Sequence, residues 1–73
     1  MITVEVSKNS EVVEIILDQE GLDELKAQID DAVIQGDARL RSQSWAGNEL
    51  EDSRASQNGD VTLAKELTIR IFQ

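Results

Sequence analysis

Apolar residues alternate strictly at the start of the chain. Ile2, Val4 and Val6 point one way, and Thr3 and Glu5 point the other. A period of two marks a strand with one buried face. Ser7-Lys8-Asn9-Ser10 has turn composition, with Asn9 suited to a positive φ. Glu11 to Leu17 is a second run, rich in β-branched residues, in which Val13, Ile15 and Leu17 share a face opposite Glu14. The two runs predict a hairpin. The period then changes. Within Gln19 to Gln35, Leu22, Leu25, Ile29, Ala32 and Val33 draw one apolar stripe at helical spacing, and Asp23, Glu24, Asp30 and Asp31 lie on the other side. Asp18 is the expected N-cap. Gly21 stands where a capping box would place Glu or Gln. Gly36 is the expected left-handed residue after the helix.

Asp37 to Gln43 predicts a short third strand, with Ala38 and Leu40 inward and Arg39 and Arg41 outward. Gly47 to Asp60 has little periodicity and is long for a loop in so small a domain, which marks it as mobile or functional. It ends on the turn residues Asn58-Gly59-Asp60. Val61 to Phe72 alternates again, with Leu63, Leu67, Ile69 and Ile71 on one face with Lys65, and Glu66, Thr68 and Arg70 on the other. The fold expected is α+β, ββαββ: a four-stranded antiparallel sheet with one amphipathic helix packed on one face. The last strand should be central. The expected sheet order is 1-2-4-3, with 2-1-3-4 as the alternative. Residues 1–73 make a single domain.

Composition narrows the function. The chain has 73 residues, no Cys, no His and no Pro. There is therefore no disulfide framework, no thiolate zinc site and no imidazole base. A domain of this size buries only about 60% of its unfolded surface. Either its core is well packed, or a second copy or partner covers part of it. The net charge is −8, and the seven Lys and Arg are scattered. That argues against nucleic acid, which needs clustered cations, and suits a basic partner or simple solubility. No apolar run approaches the ~20 residues needed to cross a bilayer, and Met1 to Val6 has no signal-peptide pattern. A cytoplasmic protein without membrane or cofactor is expected.

Candidate chemistry is thin. Asp30-Asp31 and Glu49, Glu51 and Asp52 lack the oxygen spacing of a calcium loop and read as solvated charge. Ser42, Ser44, Ser53 and Ser56 have no histidine to take a proton. Lys65 is the one lysine in register with the inward face, and it would have to be desolvated to act as a base. The chain thus reads as non-catalytic. Two features suit binding. The open sheet face should collect Thr3, Glu5, Glu14, Ile16, Thr68 and three of the four arginines, Arg39, Arg41 and Arg70. These arginines either pair across strands, as Glu14 with Arg70, or contact a partner. Trp45 is the only tryptophan. It either plugs one end of the sheet or forms an exposed anchor beside Asn48 and Glu49.

Three segments carry a family resemblance: Glu20-Gly21-Leu22, Ser44-Trp45-Ala46-Gly47-Asn48-Glu49-Leu50 and Leu67-Thr68-Ile69-Arg70-Ile71. In order and spacing the chain resembles small bacterial immunity proteins of polymorphic toxin systems. These carry a strand hairpin, a helix opened by Glu-Gly-Leu, a Ser-Trp-Gly-Gly-Asn-Glu-Leu signature and a last strand rich in Leu, Ile and Arg. The chain departs from the pattern at Ala46, where Gly is expected, and in lacking the histidines associated with the third strand. The resemblance implies a cytoplasmic protein that binds a toxin and blocks it, with Trp45, Asn48 and Glu49 at signature positions. The alternative function is a structural domain that forms a homodimer through its sheet edge or open face.

Overall fold

The structure, a computed structural model, describes residues 1–57 and 59–72. It is α+β, with one helix and five strands in two sheets. Strand β1 (Ile2–Ser7) pairs antiparallel with β2 (Val13–Leu17) in unbroken register from Ile2↔Leu17 to Val6↔Val13. At the turn, Ser10 rather than Asn9 takes the positive φ, at 61°. Helix α1 (Gln19–Gln35) begins and ends where its caps predict. The Asp18 carboxylate accepts the Gly21 N–H, and Gly36 sits at φ 95° with its N–H on the Ala32 carbonyl. Strand β3 (Asp37–Arg41) follows.

The single four-stranded sheet does not form, because the last segment is divided. β4 (Val61–Leu63) pairs with β1, and β5 (Glu66–Arg70) pairs with β3. Ala64 and Leu67 both pack against the core. Strict alternation would put residues three apart on opposite faces, so the side-chain parity slips by one across Lys65-Glu66. Leu63, opposite Glu5, therefore does not share a face with Leu67, opposite Leu40. The backbone hands over at this slip. Ala64 N–H donates to the Val4 carbonyl at 2.9 Å, and the Lys65 carbonyl accepts Ser42 N–H at 3.0 Å. The orders 1-2-4-3 and 2-1-3-4 are both corrected, since the last segment lies between β1 and β3. The helix decides this. It leaves β2 and crosses the start of β1 so closely that a Cβ on Gly21 would fall 1.8 Å from the Met1 carbonyl oxygen. The third strand is therefore delivered beyond β1, away from β2.

The core consists of Ile2, Val4, Leu40 and Leu50, with Leu17, Leu25, Ala64, Leu67 and Ile69 packed around it. The helix lies chiefly on β3. Its buried residues are Gly21 and Ala32, with Leu22 and Leu25 half-buried, while Ile29 and Val33 of the expected stripe are exposed. Val13 and Ile15, at the far end of the hairpin, are exposed as well.

The face expected to be open is partly closed. Thr3 and Glu5 are buried on the side away from the helix, and Glu5 is only 3% exposed. A strap formed by residues 51–56 crosses them. The Glu5 carboxylate accepts the N–H groups of Ala55 (2.9 Å) and Ser56 (3.0 Å) and the Ser56 hydroxyl. The long loop is thus tied to β1 at its middle. These bonds, led by the Ser56 hydroxyl, hold the Glu5 carboxyl below the usual range. A depressed folded-state pKa stabilises the fold above the unfolded value of about 4.3 and loses that contribution as pH falls through the folded value. Glu5→Gln aims an amide at donors that need an acceptor. The variant should unfold at lower urea than the parent at pH 7, with the gap narrowing by pH 3. An equal gap at both values would show that the strap does not depend on the carboxylate charge.

Candidate functional site

The segment after β3 builds one compact turn. Gln43–Trp45 forms a single 3₁₀ turn. Trp45 N–H and Gly47 N–H both donate to the Ser42 carbonyl at 2.9 Å, and Ala46 N–H donates to the Gln43 carbonyl at 3.1 Å. The chain then doubles back. Glu49 N–H and Leu50 N–H donate to the Arg41 carbonyl at 3.1 and 3.2 Å. Leu50 reaches the core at 4% exposure, and Ser42 beside it is fully buried. Ala46 sits at φ 66°, ψ 29°. An L-residue is strained there and glycine is not.

Side chains lock the turn further. The Ser42 and Ser44 hydroxyls bond each other at 2.9 Å, Ser44 donates to Asp52 at 3.1 Å, and Lys65 Nζ reaches the same Asp52 oxygen at 3.1 Å. The Lys65 ammonium and the serine hydroxyls hold Asp52 below its ordinary value. Lys65 is therefore a paired cation at the base of the turn rather than a desolvated base.

Glu49 is engaged with its own turn. Its Oε2 accepts the N–H groups of Arg41 (3.2 Å) and Asn48 (3.1 Å). Partial burial pushes its carboxyl up, but these backbone donors and the Arg41 charge outweigh that, and the net shift is downward. Trp45 is left with no such duty. Its side chain is 56% exposed on a backbone pinned from both sides. The plug reading of Trp45 is thereby set aside. Asn48 is exposed, and together with Glu49, Glu20 and Glu24 it lines an open concavity of about 390 Å³ between the turn and the start of the helix.

Arg41 adjoins this turn through its backbone, and Arg39 and Arg70 lie apart from it. The β3–β5 register places Asp37↔Arg70, Arg39↔Thr68 and Arg41↔Glu66 on the face opposite Ala38 and Leu40. Arg41 Nε bonds Glu66 Oε1 at 2.6 Å, and this cation holds Glu66 below the usual carboxylate range. Arg39 and Arg70 are exposed. The expected Glu14–Arg70 pair is not available, because β2 and β5 belong to different sheets. Thus the structure brings together Trp45, Asn48 and Glu49, and separately Arg39, Arg41 and Arg70.

No family model, curated protein or solved structure matches the chain.

Two pairs of residues join the site in a way the linear pattern did not show. Glu20 and Glu24 reach the concavity only because Gly21 lets the helix start touch Met1. Ser42 and Asp52 join through a 3₁₀ turn that leaves no periodic trace. Among the described residues, no group of three or more His, Cys, Asp and Glu is arranged to hold a metal ion. Among the same residues, no helix is long and apolar enough to cross a membrane.

Proposed function

We propose that the chain is a non-catalytic binding protein of the immunity type, one that blocks a toxin by covering part of its surface. The observation that carries this reading is Trp45, an exposed indole on a turn tied by its own backbone, by Glu49 and by the Ser44–Asp52–Lys65 bonds. A rigid aromatic gives large contact area with little ordering cost on binding, and such residues dominate interface energetics. Beside it, Glu20, Glu24 and Glu49 make an acidic concavity, and the net charge of −8 favours encounter with a basic surface. Arg39 and Arg70 offer a second, separate contact face. In this reading the protein acts in the cytoplasm and needs no cofactor.

The experiment is co-expression with a candidate toxin taken from the neighbouring genes, scored by growth and by calorimetry of the purified pair. The wild type should restore growth and bind. Trp45→Ala should keep its urea midpoint while weakening binding by about thirtyfold or more, the size of a hot-spot truncation. A folded chain that neither binds nor protects overturns the proposal, as does a Trp45→Ala variant that binds like wild type.

A further inference from the structure

The outer edge of β2 carries one charge, Glu14, and is otherwise unprotected. β2 pairs with β1 alone and is an edge of its sheet. Natural edges are usually blunted by Lys, Pro, a bulge or a very short strand. Val13–Leu17 has no Lys or Pro and runs in unbroken register. The direction of its backbone groups follows from the bonds at its two ends. Ser7 N–H donates to the Val12 carbonyl at 2.9 Å, and Asp18 N–H donates to the Met1 carbonyl at 3.3 Å. Even-numbered residues therefore face β1, and Val13, Ile15 and Leu17 present their N–H and C=O outward, by the alternation of an antiparallel ladder. The side chains of the same three residues lie on the core face: Leu17 packs against the core, while Val13 and Ile15, beyond the reach of the helix, are 59% and 43% exposed.

We propose that this edge pairs with a second copy of the chain, antiparallel about a two-fold axis at Ile15, so that the two sheets join through β2. Charge selects both the occupant and the register. With Ile15 opposite Ile15, Val13 faces Leu17 and Glu14 faces Ile16, and just beyond the strand ends Asp18 lies across from Val12. Every carboxylate of the segment then meets a neutral residue. Moving the axis to residue 14 sets Glu14 against Glu14, and moving it to residue 16 sets Glu14 against Asp18. Both moves keep the outward backbone groups paired but oppose like charges, which is destabilising. The segment is thus complementary to itself in one register. The apolar row Val13, Ile15, Leu17 continues across the axis, as an isologous contact requires. The paired strands are short, so the dimer is weak, dissociating in the micromolar range. Charge repulsion between two copies at −8 makes it tighter at high salt.

Sedimentation equilibrium of the full chain should show a concentration-dependent dimer that strengthens from 50 to 500 mM NaCl. Ile15→Lys places two cations at the axis and should raise the dissociation constant at least about tenfold, with unchanged circular dichroism because Ile15 is partly exposed. Register is read separately. The chain has no Cys, so Glu14→Cys mixed with Ile16→Cys should cross-link under mild oxidation far faster than either variant alone. A chain monomeric at millimolar concentration overturns the proposal. So does a dimer indifferent to Ile15→Lys, or one cross-linking equally through Glu14→Cys alone. Occupation of this edge only by a strand of a different protein overturns it as well.

Discussion

Leu40→Ala should shift the thermal midpoint down by roughly 15 °C. Leu40 is fully buried at the junction of the two sheets, within the cluster of Ile2, Val4 and Leu50. Its position on β3 opposite Leu67 puts it beneath the helix. Truncating such a leucine removes about 3 kcal/mol through lost transfer energy plus the cavity left behind. A domain of this size has a total stability of roughly 4–11 kcal/mol, and each kcal/mol is worth about 4–8 °C in so short a chain. Calorimetric melting of the variant is the measurement. A shift under about 3 °C would mean that the neighbouring helix and sheet collapse into the space, and that the core is looser than its burial indicates.

Gly47→Ala should destabilise the fold by about 3 kcal/mol, at the upper end of overpacking costs. A Cβ at Gly47 would lie 2.5 Å from both the Arg41 carbonyl oxygen and the Arg41 Cβ. Neither neighbour is free to move. The Arg41 carbonyl accepts two N–H groups, from Glu49 and Leu50, and Gly47 N–H itself holds the Ser42 carbonyl. Relief therefore requires opening the turn, which withdraws Leu50 from the core. Urea unfolding followed by Trp45 fluorescence should show a lowered midpoint and a shifted native emission, since Trp45 rides on the same turn. A midpoint within experimental error of the parent would show that the close approach is not maintained in solution. The comparison with Trp45→Ala is informative. One substitution should damage the scaffold and the other only the surface it presents.

The turn around Trp45 thus has two layers. Gly47, Leu50, Glu49 and the strained Ala46 build the turn, whereas Trp45 and Asn48 are displayed by it. The Gly47 and Trp45 variants separate the two.

Local signals read from the chain correspond closely to local structure. Asp18 and Gly36 bound the helix where capping chemistry puts them, because caps satisfy backbone groups within a few residues. The alternation of Ile2 to Val6 and of Asp37 to Arg41 marks their strands, and Ala38 and Leu40 face inward as their spacing requires. The three arginines share a face because β3 and β5 pair directly. Each of these depends on neighbours a few residues away or on one strand pair.

The remaining features were decided by distant contacts. The parity slip at Lys65-Glu66 is invisible to a period of two, since it arises where one segment must pair first with β1 and then with β3. Glu5 looks solvent-facing by alternation, but a strap fifty residues away supplies the donors that let a carboxylate lie buried. Ile29 and Val33 look like core by spacing, yet the helix axis follows β3 and leaves them exposed with Val13 and Ile15. Hydrophobic pattern states which side chains gain from burial. Which of them obtain it depends on how much sheet one seventeen-residue helix can cover, and that is settled only when the chain closes on itself.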